Sequence, residues 1–356
     1  PKLEDLTRSM TKQLGVENKM NFMNTSLSFS HGNQKEFDKF TLGYNAVLNY
    51  QNRTEYYKDV TFSSIYLKSQ NTATDNLVPE ELRTGQLGQN SVLWSALLTG
   101  AIKYNNTEIS ASLMRIQNGI SKAADRVNRN FEQTGATLIE DILTYTQRSL
   151  TNAMIAGKHK IKGNTLNWTT STSFSRIYDP DFRITSISVT GGDTTMLLGD
   201  GAGISRFYRD LHEFSESMKV DYTIPYWEKS KLKFGAVGTY RTRDFTIDNF
   251  NIRYTDALGI EGDPNWFLRE ENIWTPQSEE GSYIVGNFEP ANTFDATQII
   301  TGAYAMTEMT FAERWRAIYG LRGEMVTMFY NGQNNLGSVK YNNEKTLEQI
   351  DLLPSA

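Results

Sequence analysis

The chain has 356 residues, contains no cysteine and carries a net charge of −5. The lack of cysteine excludes disulfides, thiolate nucleophiles and cysteine-bound metals, and the mildly acidic balance argues against a nucleic-acid partner. Mean hydropathy is −0.50, and no apolar run approaches the roughly 20 residues of a transmembrane helix. Aromatic residues make up 12% of the chain and only 8 residues are proline, which favours β structure.

Period-two alternation of apolar and polar residues is the dominant pattern along the chain. In residues 231–243, for example, Leu232 and Phe234 share one face, whereas Lys233 and Arg241 share the other. A membrane-crossing strand needs only about 10 such residues, so a low mean hydropathy does not exclude one. The alternation predicts about ten strands, at 22–30, 40–50, 91–104, 107–116, 143–158, 165–175, 210–224, 231–243, 297–310 and 315–329.

The predicted connections alternate between short and long. Short ones fall near 31–38, 105–106, 162–164, 226–230 and 311–314, and long ones span about 51–90, 118–140, 176–208, 245–295 and 330 onward. The segment 58–68 also alternates, and we place it as a hairpin arm within the first long loop. Tight turns on one side and long loops on the other are typical of an outer-membrane β-barrel, and aromatic residues gather near the short turns as interfacial girdles do.

Charged residues test how such a barrel is oriented. A lysine or arginine in contact with lipid at mid-membrane costs about 2–4 kcal/mol. Lys233, Arg241, Arg322 and Glu324 all fall on the polar stripes of their strands. We therefore expect them to face the lumen, where Arg322 and Glu324 would pair with each other or with a plug.

No catalytic or metal site is indicated. The three histidines, His31, His159 and His212, have no zinc-binding spacing, and the nucleophile motif G-x-S-x-G does not occur. We therefore expect no catalytic residues, no metal and no cofactor, and an enzyme is the weakest reading.

Several segments, in their order and spacing, resemble one family. They are Gly157–Lys160 with 166–168, 179–183, 206–213 with 221–225, 233–236, 241–245, 303–306, 319–324 and 351–355. Together they resemble the middle of the barrel of TonB-dependent outer-membrane receptors, of the type found in Bacteroidota. The resemblance covers roughly 140–356 best and 20–140 more loosely.

The resemblance implies an all-β, transmembrane antiparallel barrel of about 22 strands with a plugged lumen and long extracellular loops. Residues 1–356 would be part of that one barrel domain, with about ten of its strands. We expect the plug, the TonB box and the C-terminal strands to be absent from this chain. The implied partners are outer-membrane lipid, the TonB complex acting through the absent plug, and a possible surface lipoprotein.

The implied function is uptake of a scarce nutrient across the bacterial outer membrane, such as a siderophore, cobalamin or an oligosaccharide. The long loop at 245–295 offers aromatic candidates for ligand contact, Trp266, Phe267, Trp274 and Tyr283. The alternative for these residues is that they pack the loop down. The alternatives for the chain are a passive or structural outer-membrane barrel and a soluble carbohydrate-binding β-sandwich.

Overall fold

The chain folds into one antiparallel β-sheet in a computed structural model. The structure describes residues 2–68, 76–130, 137–190, 193–196, 203–227, 229–255, 262–287, 289–311 and 315–356. The strands are β1 (Thr25–Glu36), β2 (Phe40–Lys68), β3 (Leu77–Tyr104), β4 (Thr107–Asn130), β5 (Thr137–Ile161), β6 (Asn164–Thr190), β7 (Asp193–Met196), β8 (Ile204–Trp227), β9 (Ser230–Tyr254), β10 (Ser282–Asn287), β11 (Phe294–Phe311), β12 (Trp315–Gln333) and β13 (Lys340–Ser355). The helical elements are α1 (Leu3–Arg8) and the 3₁₀ turns Pro264–Leu268, Glu270–Asn272 and Pro290–Asn292.

The strands follow one another as an up-and-down meander. Each long strand pairs with its neighbours in sequence, while β7 extends the end of β6 and β10 pairs with the end of β9 beyond the point where β11 begins. The sheet is open, because within the described residues β1 pairs only with β2 and β13 only with β12. The all-β, antiparallel prediction is confirmed. Within the described residues, no helix is long and apolar enough to cross a membrane.

The five shortest connections between long strands lie at one edge of the sheet, which we call the turn edge. They join β1 to β2, β3 to β4, β5 to β6, β8 to β9 and β11 to β12, as the sequence predicted. At the β5–β6 turn, Lys162 (φ 49°) and Gly163 (φ 86°) both adopt the left-handed region. A two-residue type I′ turn requires this, and glycine adopts it without steric cost.

The opposite edge, which we call the loop edge, differs from the prediction. Most of the predicted loops at 51–90, 118–140 and 176–208 are strand, and β2 alone runs for 29 residues, about 95 Å at 3.3 Å per residue. Residues 58–68 are the end of β2 rather than a hairpin arm. The loop predicted from 330 onward contains β13. The ladder continues there because backbone pairing does not need apolar alternation, which is the only signal that the sequence offered.

Strand register divides the sheet into two faces. One carries Leu48, Leu98 and Leu113 and their counterparts on each strand, and we call it the apolar face. Its large side chains are open, with Leu98 56% and Met218 55% exposed. Within the described residues no second sheet covers them, since all strands belong to one sheet.

Candidate functional site

The opposite, polar face brings together the four residues predicted to face a lumen. Lys233 and Arg241 lie eight residues apart on β9, and β11 separates them from Arg322 and Glu324 on β12. Tyr304 on β11 is the link, because it lies opposite both Gly235 and Arg322. Arg322 Nε donates a hydrogen bond to the Glu324 carboxylate on the same strand.

Three carboxylates on this face, those of Glu308, Asp221 and Glu213, each lie between two cations. Glu308 contacts Lys231 Nζ at 3.0 Å and Arg316 Nη2 at 2.7 Å. Asp221 lies 3.3 Å from Lys219 Nζ and 3.6 Å from Lys233 Nζ. Glu213 accepts from Arg243 Nε at 3.0 Å and lies 3.6 Å from Arg241 Nε. Each of these three groups therefore keeps one uncompensated positive charge.

Close packing holds the middle group in place. The Tyr304 hydroxyl donates to Asp221 Oδ1, and Lys233 Nζ lies 5.6 Å from the centre of the Tyr304 ring. Gly235 sits beneath them, and any Cβ there would overlap the Tyr304 ring and the Asp221 carboxylate. Residue 235 must therefore be glycine, because the Tyr304 side chain passes directly over the backbone of β9 at this position to reach Asp221.

A cavity of about 310 Å³ opens on the same face towards the loop edge. Four adjacent strands contribute to its wall: β9, β11, β12 and β13. Its lining comprises Arg241, Arg243, Phe294, Ala296, Thr297, Gln298, Met328, Phe329, Tyr330 and Thr346. Sequence reasoning named only Arg241 as a site residue, because the other members come together only when β11 is placed against β9.

The four loop aromatics do not form one exposed surface. Phe267 is fully buried, in a cluster with Leu14, Ile204, Ile252 and Leu268. Trp266 packs against that cluster and its ring lies 5.6 Å from that of Phe267. Among the described residues, Trp274 and Tyr283 take part in no ring pair, and both are half-buried. The packing alternative therefore accounts for Phe267.

What buries Phe267 is the N-terminal segment, residues 2–21, which lies across the loop edge on the side of the apolar face. Leu14 is fully buried, and the backbone N–H groups of Leu14 and Gly15 both donate to Asn265 Oδ1, at 2.7 and 3.0 Å. Farther back, Thr7 Oγ1 accepts from the Ile284 N–H at 3.2 Å. The sequence offered no signal for this docking, since Asn265 and Ile284 are 250 or more residues away from the groups that they contact.

Two of the segments quoted for the family resemblance meet beneath the N-terminal segment. Arg206 is fully buried, pairs with the Asp181 carboxylate and donates from Nη1 to Thr11 O at 3.0 Å. Asp179 pairs with Arg209 Nη2 at 2.8 Å, and Arg183 donates to the Gln13 carbonyl. A β-bulge between Asp179 and Phe182 turns these side chains towards the segment.

Asp141 on β5 is a buried carboxylate at the same edge, 8% exposed. Its pKa is raised to about 6, mainly by burial and then by the charges of Asp125 and Asp263, against a hydrogen bond from the Val16 backbone that lowers it. Beside it, a cavity of about 790 Å³ separates the N-terminal segment from β2–β5. Its polar wall includes the amides of Asn18, Asn21, Gln86, Gln89 and Asn90, the hydroxyl of Tyr56, and the charged residues Glu17, Lys19, Glu55, Asp125 and Asp141.

Comparison of the chain with protein-family models, with curated proteins and with solved structures finds no match.

Proposed function

We propose that this chain is part of the barrel wall of a TonB-dependent outer-membrane receptor that takes up a scarce nutrient. The observation that carries the proposal is the bare apolar face of a continuous up-and-down sheet whose five shortest connections between long strands lie at one edge. Such a face needs an apolar environment, because water-exposed patches of this size are rare on soluble monomers. A bilayer supplies that environment.

The dimensions of the apolar stripes fit a bilayer. On β2 the stripe runs from Phe40 to Tyr50 and on β3 from Val92 to Tyr104. With strands tilted by about 40°, these lengths correspond to about 25–30 Å along the membrane normal, against an apolar band of about 25 Å in outer-membrane barrels. Beyond the stripes the same face becomes polar, at Asn52 and Asn90.

Arg115 and Glu216 are charged residues that also lie on the apolar face. Measured along the membrane normal, with the same tilt of about 40°, they are about 20 and 28 Å from the turn edge, close to the far boundary of the apolar band. Arg115 donates to Thr151 Oγ1 at 2.6 Å, and Glu216 accepts from Thr172 Oγ1 at 2.5 Å. At a boundary, with hydrogen-bond partners, both charges are compatible with a membrane-facing surface.

A receptor is favoured over a soluble sandwich because a sandwich needs a second sheet on the apolar face, and the described residues form one sheet. Closure would come from further strands on the free edges of β1 and β13. The uptake function itself rests on the family resemblance, supported by the charged polar face and the packed loop edge. The carboxylates that line the cavity beside Asp141 disfavour a bare anion as its ligand.

One pair of variants tests the membrane-facing assignment. Leu98→Lys places a charge on the apolar face, whereas Thr99→Lys, one residue along, places it on the polar face. In vesicles, Leu98→Lys should reduce the unfolding free energy by about 2–4 kcal/mol and Thr99→Lys by less than about 1 kcal/mol. Equal losses, or a chain that folds without detergent and gains solubility from Leu98→Lys, would contradict the proposal.

A second experiment separates a receptor from a passive barrel. Nutrient uptake by cells that carry the protein is measured with and without a working TonB system. A receptor stops accumulating its nutrient when TonB is lost, whereas a passive barrel continues to equilibrate it.

A further inference from the structure

The cavity between Arg241 and Tyr330 is lined by two arginines and by aromatic side chains. We propose that it is a binding site for an anionic ligand with a flat apolar body, such as an aromatic carboxylate. Arg241 and Arg243 would bind the anionic group, and Phe294 and Tyr330 would hold the ring. The inference rests on the geometry of the polar face and does not depend on the membrane proposal.

The cavity is positively charged. Two guanidinium groups line the cavity, and among the described residues no carboxylate does. Both arginines share the single carboxylate of Glu213, which lies outside the lining. One positive charge is therefore left over, and an incoming carboxylate can neutralise it through the two-pronged hydrogen bonding that guanidinium groups favour.

The cavity also has an unused hydrogen-bond donor. Arg241 Nε is buried and has no hydrogen-bond partner. Its nearest acid oxygen, Glu213 Oε1, is 3.6 Å away, which is an ionic contact but too long for a hydrogen bond. A buried donor without a partner is destabilising, so a small side-chain shift that brings a ligand oxygen to this nitrogen would remove an existing penalty.

Aromatic rings form one wall of the cavity. The rings of Phe294 and Tyr330 are stacked, with centroids 5.7 Å apart and planes inclined by 26°. Phe245 continues the wall, 5.6 Å from Phe294. Offset stacking on such a surface favours a flat ring over an aliphatic chain, and Gln298 and Thr346 supply neutral polar groups at the margin.

Other charges near the cavity lie outside its lining, and Asp244 and Asp295, which pair with each other, occupy register positions on the opposite face of the sheet. Glu344 lies opposite Tyr330 on β13 but is exposed and does not line the cavity. Lys345, the next residue, is paired with Glu348. The volume of about 310 Å³ is at the lower end of small-molecule sites, which are roughly 300–1,000 Å³. It accommodates one or two fused rings with a carboxylate.

The test uses 2-naphthoate and its neutral counterpart 2-naphthamide as probes of the folded chain, in buffer or detergent, with binding measured by calorimetry. The naphthoate should bind at least tenfold more tightly than the amide. Arg241→Gln and Arg243→Gln should each weaken naphthoate binding at least tenfold, and Tyr330→Leu should weaken both probes. The control Arg316→Gln removes a cation from the same face, beside Glu308, and should change neither affinity.

Folding is checked by the far-ultraviolet circular dichroism of each variant. If an arginine variant fails to fold, Tyr330→Leu and the comparison of the two probes with the unaltered chain still decide the question. The proposal is overturned if naphthoate and naphthamide bind equally, if neither binds, or if Arg316→Gln weakens binding as much as the cavity variants do.

Discussion

Replacement of Asp141 by asparagine should stabilise the protein at neutral pH and leave it unchanged in acid. Asparagine keeps an oxygen that can accept the hydrogen bond from the Val16 backbone, and it removes the charge that burial and Asp125 disfavour. Asp141 is 8% exposed, so solvent screens little of this effect.

The magnitude follows from the pKa. The folded protein raises the pKa of Asp141 from 3.8 to about 6, a shift of about 2 units, and each unit corresponds to about 1.4 kcal/mol. Below pH 3.8 both the folded and unfolded chains hold the proton, so the charge costs nothing. Between pH 4 and 6 the unfolded chain releases the proton first, and the cost to the folded state grows. Above pH 6 it is complete, at about 3 kcal/mol.

The assay is equilibrium unfolding in urea at pH 4.0, 5.5 and 7.5, with hydrogen exchange of residues 9–17 as a local readout. The gain from Asp141→Asn should rise from near zero at pH 4.0 to about 3 kcal/mol at pH 7.5. Asp125→Asn, which removes the neighbouring exposed charge, should give a smaller gain in the same pH range. A gain that is constant across pH, or a loss at pH 7.5, would refute the reasoning.

Two further predictions concern the same edge. Leu14→Ala should cost about 2–5 kcal/mol, because Leu14 is fully buried against Phe267; faster hydrogen exchange in residues 9–17 measures it, and Leu6→Ala, at an exposed position, should cost far less. Arg206→Lys should cost about 1–3 kcal/mol, since a single ammonium cannot reproduce the two-pronged contact of Nε and Nη2 with Asp181 together with the bond from Nη1 to the Thr11 carbonyl. The surface control Arg269→Lys should change the unfolding free energy little, and an equal effect of both arginine variants would contradict the role given to Arg206.

The sequence predicted the strands correctly where the placement of apolar side chains on one face alone controls the alternation of apolar and polar residues. Between the turn edge and residues such as Tyr50 and Val92, one face is apolar and the other polar, so period-two alternation located the strands and their short turns. Beyond those residues, both faces carry polar side chains, as at Asn52 and Asn90. The backbone ladder continues there without the alternation, so the sequence pattern predicts loops where the structure has the ends of the strands.

The loop edge could not be derived, because its contacts join distant parts of the chain. Leu14 meets Phe267 in a cluster that also contains Ile204 of β8 and Ile252 of β9, and neither Leu14 nor Phe267 belongs to a periodic pattern. An aromatic residue in a loop has the same sequence signature whether it is buried or open to a ligand. Phe267 and Trp274 illustrate this, since one is fully buried and the other half-buried.

The polar face could be predicted from the sequence only in part. Alternation alone places Lys233 and Arg241 on one face, yet their partners depend on which strands are neighbours. Glu213 reaches Arg243 across the β8–β9 ladder, whereas Phe294 reaches it only because β11 pairs with β9 after the loop edge has been crossed. The pairing of β9 with β8 and with β11 therefore places Glu213 between two arginines and also forms the wall of the cavity. A substitution that shifts the register of β11 by one residue would move Tyr304, Gln298 and Phe294 to the apolar face together, and both the Asp221 group and the cavity would be lost in one step.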